Sequence, residues 1–309
     1  MEINNLLITG RMYRELEILK ERRPDKQFRF LAESEVTEAD LDWADAYVAF
    51  KPVPTFHFGS LRWVHALGAG VDAFLFRKPW QSDVLLTRTT GEFGRKIAEY
   101  CLGYIMADLN QHATFARQQA RSEWTPAASP LLSSIRAVVF GTGSIGQEIA
   151  RVLSLLGAQV TGISFSGEAK PFYNQVCKLD AMGDCLARAD WVINTLPLTN
   201  ATHHLFNQAL LAELNGAGFI NVGRGPSVDT RAMLDALDRG SVRLAVLDVF
   251  EEEPLAPDSP LWSRPDVQIT PHISAVTSVE EAAEGLLSTL EQLEKGATLT
   301  NQVNTERGY

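Results

Sequence analysis

Val138-Val139-Phe140-Gly141-Thr142-Gly143-Ser144-Ile145-Gly146 decides the reading of this 309-residue chain. An apolar run stops at a Gly-x-Gly-x-x-Gly turn, and the residues from Gly146 to Leu156 then carry the pattern of an amphipathic helix. Each glycine answers a physical demand: Gly141 allows the tight turn, Gly143 lets backbone approach a pyrophosphate, and Gly146 permits close helix–strand packing. The start of such a helix presents unpaired N–H groups and a partial positive charge to an anion. Three spaced glycines alone are weak evidence; a strand before and a helix after supply the context the motif requires. Gly141, Gly143, Ser144, Ile145 and Gly146 are therefore candidate dinucleotide-binding residues, against the plainer alternative of a structural glycine turn.

Outward from this turn the chain alternates strands with helices. Downstream strand candidates are Gln159 to Phe165, Trp191 to Leu196, Gly218 to Val222, Leu244 to Val249 and Val267 to Thr270. Thr230 to Arg239 reads as a helix, with Asp229 as N-cap and Gly240 past its end. Upstream, Gly94 to Leu109 reads as a long helix, with Ile97, Cys101, Tyr104 and Ile105 on one face. The first ninety residues offer strands at Leu6 to Thr9, Tyr47 to Phe50, Leu61 to Leu67 and Val84 to Thr87, and a helix over Arg11 to Arg22. The last helix, Val279 to Lys295, has capping-box spacing at Ser278 and Glu281 and stops at Gly296. At about 150 residues per domain the length suggests two domains. The expected class is α/β: two Rossmann-like, doubly wound parallel-sheet units with a cleft between them. The chain is expected to build one unit from residues 1–91 and 279–309 and the other from 92–278.

A strand-end acid about 20 residues past the glycine turn normally binds the ribose hydroxyls of NAD. Here that strand ends Ile163-Ser164-Phe165-Ser166 with no Asp or Glu. Repulsion of a 2′-phosphate is then absent, Ser164 and Ser166 offer hydroxyls, and Lys170 offers a charge. The expected preference is NADP(H), with NAD(H) use open if Glu168 supplies the acid from one turn further on.

Three charged residues follow the late strands: Arg224 after Asn221-Val222-Gly223, Glu253 after Phe250-Glu251-Glu252, and His272 after Thr270-Pro271. Ligands of open α/β sheets bind beyond the carboxyl ends of the strands. Reduction of a 2-oxo acid needs a proton donor for the carbonyl oxygen, which His supplies near neutral pH. A neighbouring carboxylate orients the ring and stabilises imidazolium, and Arg offers a planar fork to carboxylate and carbonyl oxygens. The alternatives are a structural histidine and glycines needed around Arg224 for the turn alone.

Asn221-Val222-Gly223-Arg224-Gly225, Asp248-Val249-Phe250-Glu251-Glu252-Glu253-Pro254 and Pro271-His272-Ile273-Ser274 together resemble the signatures of the D-isomer-specific 2-hydroxyacid dehydrogenases. Leu67-Gly68-Ala69-Gly70-Val71-Asp72 and the final Arg307-Gly308-Tyr309 extend the likeness over nearly the whole chain. Glu99-Tyr100 and Trp124-Thr125-Pro126 make it most similar to the glyoxylate/hydroxypyruvate reductase A branch, which generally prefers NADPH. The resemblance implies a flavodoxin-like substrate domain beside the nucleotide domain, and Arg224, His272 and Glu253 as substrate anchor, acid/base and its partner. It further implies that Ala69 and Gly70 bind the substrate carboxylate through their N–H groups, with Arg88 on the substrate side. Leu196, Pro197 and Thr199 would line the cofactor with Phe165, Val222 and Gly223, and Asp248 would contact the nicotinamide carboxamide. Ser164 stands where many members carry Asp, and Glu253 is not the Gln of the formate dehydrogenase branch.

The implied reaction is reduction of glyoxylate or hydroxypyruvate. Pyruvate, phenylpyruvate or a branched 2-oxo acid is the alternative substrate, and a dinucleotide-sensing protein of the corepressor type is the alternative class. A net charge of −10 disfavours nucleic acid and anionic lipid as partners. No apolar run approaches the ~18 residues of a membrane span, and no secretory signal is read at Met1 to Gly10. Three cysteines, Cys101, Cys177 and Cys185, give no disulfide framework, so a cytoplasmic location and small core thiols are expected. No metal site is expected: His57, His65, His112, His203 and His204 lack ligand spacing. Glu251 and Glu252 are expected in solvent, and Trp43, Trp63 and Trp80 in the core or the substrate pocket. A homodimer is the family expectation.

Overall fold

In the computed structural model, which describes Met1–Tyr309, twelve strands run along the chain. They are β1 (Asn5–Thr9), β2 (Gln27–Leu31), β3 (Ala46–Ala49), β4 (Trp63–Ala66), β5 (Leu85–Arg88), β6 (Arg136–Phe140), β7 (Gln159–Ser164), β8 (Gln175–Lys178), β9 (Trp191–Asn194), β10 (Ala217–Asn221), β11 (Val242–Leu247) and β12 (Val267–Ile269). The α-helices are α1 (Leu19–Arg22), α2 (Glu38–Trp43), α3 (Asp72–Leu75), α4 (Phe93–Leu109), α5 (His112–Ala120), α6 (Ser144–Leu155), α7 (Gly183–Ala187), α8 (Gln208–Ala212), α9 (Thr230–Arg239) and α10 (Val279–Lys295). They form two compact units, Met1–Gly91 with Thr277–Tyr309, and Glu92–Val276.

The first unit holds a five-stranded sheet in the order β2-β1-β3-β4-β5, parallel throughout. The second holds seven parallel strands in the order β12-β11-β10-β9-β6-β7-β8. Both are doubly wound α/β sheets, and β6 adjoins the point where the strand order of the second reverses. Strands buried on both faces read as continuous apolar runs, which is why β6 and β9 are plain in the sequence. In the second unit Val138 and Phe140 pack with Leu210 of α8 and Met233 of α9. Ala137 and Val139, pointing the other way, pack with Ile97 and Cys101 of α4 and Ile149 of α6. In the first unit α10 returns to cover β1, β3 and β4, placing Ala282, Leu286 and Leu290 against Leu6, Val48 and Trp63.

The helix ends obey local chemistry. Asp229 accepts the Ala232 N–H at the start of α9, and Gly240 ends it at φ 74°. Ser278 and Glu281 form the reciprocal capping box of α10, which Gly296 closes at φ 63°. Two edge strands, β2 and β8, are not legible in the sequence: Arg29 interrupts the first, and Gln175 and Lys178 bracket the second. Short polar edges protect a sheet from pairing with another chain, and the same polarity hides them. The helix expected over Arg11 to Arg22 is a correction. Arg11 to Arg14 form turns, Glu15–Ile18 is a 3-10 turn, and only α1 is α-helical. Buried Leu16 and Leu19 stand three apart, the spacing that a 3-10 turn stacks on one face.

All three early tryptophans pack into cores. Trp63 is fully buried and donates to Thr87 Oγ1 at 2.8 Å, while Trp80 donates to the Val84 carbonyl. Trp43 packs beside Leu41 and carries Arg29 over its ring. Cys101 is buried, whereas Cys177 and Cys185 are half-buried with Sγ atoms 3.7 Å apart.

His65 is fully enclosed in the first unit, with Nδ1 2.7 Å from Thr87 Oγ1 and Nε2 3.2 Å from Thr89 Oγ1. Burial pushes its imidazole down to about 3. Between that value and the unfolded one, only the unfolded chain takes up the proton, so stability falls as pH falls through this window. Urea denaturation from pH 6 to pH 4 should therefore show wild type losing about 1.4 kcal/mol per pH unit more than His65→Gln. Equal slopes would mean that His65 is protonated in the folded chain.

Candidate active site

Every strand of the second unit runs the same way, so the loops after β6, β7, β9, β10, β11 and β12 all leave one edge of the sheet. After β6, Gly141 adopts φ 96°, and its N–H bonds the Ile163 carbonyl at 2.9 Å. A Cβ on Gly146 would lie 1.9 Å from the Gly141 carbonyl oxygen, so only glycine lets α6 start this close to β6. Gly143 is extended backbone, and a Cβ there would meet nothing within 4 Å. No side chain caps the first turn of α6, where Ser144 and Ile145 lie. An open cradle over an uncapped helix start is where a pyrophosphate fits. These residues thus suit the dinucleotide that the motif implies.

After β7, Ser164 Oγ accepts the Gly167 N–H at 3.1 Å and Ser166 Oγ accepts the Glu168 N–H at 3.3 Å. Phe165 is exposed at this turn. The Glu168 carboxylate lies 3.6 Å from Lys170 Nζ. After β9, Thr195 Oγ1 donates to the Phe140 carbonyl, tying this loop to the glycine turn. Leu196, Pro197 and Thr199 follow, held from within by buried Thr202. Its hydroxyl donates to the Pro197 carbonyl at 2.6 Å and accepts the Thr199 N–H at 2.8 Å.

Arg224 stands on a turn built by buried side chains. Asn194 Nδ2 donates to Asn221 Oδ1 at 2.9 Å and to Ser227 Oγ at 2.7 Å. Ser227 Oγ donates to the Arg224 carbonyl, and Asn221 Oδ1 accepts the Gly223 N–H. Both flanking glycines serve close approach. A Cβ on Gly223 would be 2.7 Å from the Leu196 carbonyl oxygen, and one on Gly225 would be 1.7 Å from that of Phe250. Gly225 thereby seats the Arg224 turn against the loop that carries Glu253. Val222 is buried beneath it.

Glu253 and His272 meet. Nδ1 of His272 lies 2.8 Å from Glu253 Oε2, and Glu253 Oε1 accepts the Phe250 N–H at 3.0 Å. Partial burial raises the Glu253 carboxyl, but the bonds from His272 and Phe250, with the charge of Arg224, outweigh it and hold the group below its ordinary value. The carboxylate therefore receives Nδ1–H, and Nε2 is the ring nitrogen left for chemistry. His272 sits at φ 56°, a left-handed conformation that costs a non-glycine residue energy. The buried Asp248 carboxylate pins it there. Oδ1 accepts Ile273 N–H at 2.8 Å and Thr270 Oγ1 at 2.5 Å, while Oδ2 accepts Ser274 N–H at 2.9 Å. Tyr100 of α4 reaches Thr270 Oγ1 at 2.7 Å.

The structure thus brings Arg224, Glu253 and His272 onto adjoining loops, with Asp248 beneath His272. Asn194, Asn221, Ser227, Thr202, Thr270 and Tyr100 support these loops, and none of them stands out as a site residue in the sequence. Asn194 and Asn221 do carry a readable signal, each being a polar residue that closes an apolar strand. Glu251 is exposed, as expected, and is also engaged, bonding His204 Nε2 at 2.6 Å and the N–H and hydroxyl of Thr230. Ala69, Gly70 and Arg88 belong to the first unit, where Arg88 Nη1 donates to the Ala69 carbonyl at 3.1 Å. Asn301, equally inconspicuous in the sequence, donates to the Arg88 carbonyl and fixes that strand end.

A nucleotide-binding sheet with arginine, glutamate and histidine at its strand ends defines a dinucleotide-dependent oxidoreductase. The profile of the D-isomer specific 2-hydroxyacid dehydrogenase family, NAD binding domain, matches residues 102–274. A D-isomer specific 2-hydroxyacid dehydrogenase from Xanthobacter autotrophicus Py2, solved in complex with NADPH and MES, is 32% identical with a TM-score of 0.90, covering 100% of both chains. An NADPH-dependent glyoxylate/hydroxypyruvate reductase from Sinorhizobium meliloti, solved with NADP and sulfate, is 29% identical with a TM-score of 0.89, over 99% of this chain and 100% of that one. An uncharacterized Streptomyces coelicolor protein is 37% identical over 81% of this chain and 90% of its own length. The chain belongs to the D-isomer specific 2-hydroxyacid dehydrogenase family.

Gly143 gives a direct test of the cradle. Gly143→Ala should leave thermal stability within the about 0.5 kcal/mol of an unhindered surface change. The same methyl should weaken NADPH binding, followed by fluorescence titration, at least about tenfold by filling the approach path. Unchanged affinity would place the pyrophosphate elsewhere.

Proposed function

We propose that this enzyme reduces a small 2-oxo acid, glyoxylate or hydroxypyruvate, to the 2-hydroxy acid, with NADPH preferred over NADH. The observation that carries the reading is the His272–Glu253 pair beside Arg224, together with a β7 end that bears hydroxyls and no carboxylate. The similarity to the Sinorhizobium reductase, which carries NADP, supports it.

When bound along the glycine turn, the dinucleotide supplies the hydride for the substrate carbonyl carbon. Gly141, Gly143, Ser144, Ile145 and Gly146 would hold its pyrophosphate, and Leu196, Pro197, Thr199, Val222 and Gly223 would line it. Arg224 binds the substrate carboxylate with its planar fork and draws on the carbonyl oxygen. Protonated His272 donates from Nε2 to that oxygen as it gains charge. Glu253 keeps Nδ1–H engaged and lowers the cost of the imidazolium. Ala69, Gly70 and Arg88 are assigned to the substrate carboxylate by family likeness. Asp248 holds the turn that aims His272, and a contact from its carboxylate to the nicotinamide carboxamide belongs to the same proposal.

The division into a substrate domain (1–91 and 279–309) and a nucleotide domain (92–278) is part of this reading. So is a homodimer: Trp124 is 96% exposed and Leu131 75%, an apolar surface that a second copy would cover. No helix is long and apolar enough to cross a membrane, and the free thiols suit a reducing cytoplasm.

Initial rates with NADPH beside NADH, on glyoxylate, hydroxypyruvate, pyruvate and phenylpyruvate, test the proposal. Fast NADPH-dependent turnover of the two small acids is expected; turnover confined to phenylpyruvate or to NADH would overturn it. Slow turnover on every acid with tight dinucleotide binding would point to a sensing protein. His272→Gln should lower kcat by about 10²–10⁴-fold while NADPH binding holds. Because Glu253 stays ionised below the ordinary carboxylate range, reduction should slow as pH rises but show no acid limb down to about pH 5.

A further inference from the structure

The turn after β7 has a cation that the sequence order hides. Ser164 is the register partner of Lys178 across β7 and β8, so the two side chains leave the same face of the sheet. The stem of Lys178 then crosses the turn: a Cβ on Gly167 would lie 2.7 Å from its Cγ and 3.6 Å from its Cε. Gly167, at φ 68°, both makes the turn and leaves room for that stem. Lys170, nearer in sequence, is matched to Glu168 at 3.6 Å, whereas no carboxylate pairs with Lys178. Ser164 and Ser166 each spend an oxygen lone pair on a turn N–H. Each hydroxyl keeps its one O–H to donate.

Two O–H donors and an unmatched ammonium suit a phosphomonoester dianion. A bare ribose diol, by contrast, wants a carboxylate acceptor. We propose that Lys178 is the specificity-determining cation of this enzyme, pairing with the 2′-phosphate on the adenosine ribose while Ser164 and Ser166 donate to the same group. This rests on the NADP reading above and adds to it the residue that carries the charge.

Calorimetric titration of the whole protein at low ionic strength, where an exposed ion pair is least screened, separates the two. The probes are adenosine 2′,5′-bisphosphate and adenosine 5′-monophosphate, which differ only in the 2′-phosphate. Wild type should prefer the bisphosphate. Lys178→Met should weaken that probe about tenfold and leave the monophosphate unchanged. Lys170→Met should change either by less than about twofold. If wild type keeps its preference and Lys178→Met does too, or if Lys170→Met is the variant that loses it, the role of Lys178 is overturned and the NADP reading stands. If wild type shows no preference, both fall.

Discussion

A carboxylate with no exposed surface holds the loops at the carboxyl-end edge of the second unit's sheet. Asp248 closes the β11 run and takes the hydroxyl of Thr270 and the N–H groups of Ile273 and Ser274. A buried charge is tolerable only when donors surround it, and these donors all come from the loop after β12. His272 lies in the middle of that loop in a left-handed conformation it would not choose. The turn is kept because releasing it would strand a carboxylate inside the protein. Strain at one residue is thus offset by electrostatics at another.

Asn221 and Asn194 do the corresponding work one and two strands away. With Ser227 they form a small amide–hydroxyl network that satisfies the carbonyl behind Arg224. Gly225 then lets the backbone of Phe250 come into contact, where a methyl group would collide. Arginine and the Glu253–His272 pair are juxtaposed by backbone packing, with polar side chains beneath and glycines between. Networks of this kind stabilise only when every member is satisfied, which ties the geometry of the three loops together.

The sequence was most informative where local physics decides alone. Glycine spacing marked the turn after β6, and caps marked α9 and α10 almost to the residue. Apolar runs marked the inner strands, because strands covered on both faces have no polar phase. It was least informative where residues serve a neighbour distant in the chain. β2 and β8 are polar because they are edges, and edge position is a property of the sheet. Glu251 reads as a solvated surface glutamate, and nothing in the sequence shows that it also joins His204 to Thr230. Arg11 to Arg22 reads as helix, yet Glu15–Ile18 is a 3-10 turn and only Leu19–Arg22 is α-helical.

By itself the chain order settled which residue types stand at which strand ends, and hence the class of chemistry available to Arg224, Glu253 and His272. It settled as well that no acid ends β7. Only the folded sheet decided which charge faces that gap. Lys170 is six residues from Ser164 and is taken by Glu168, while Lys178, fourteen away, is the partner across the ladder. Strand register, which depends on the packing of the entire sheet, makes neighbours of residues that sequence keeps apart.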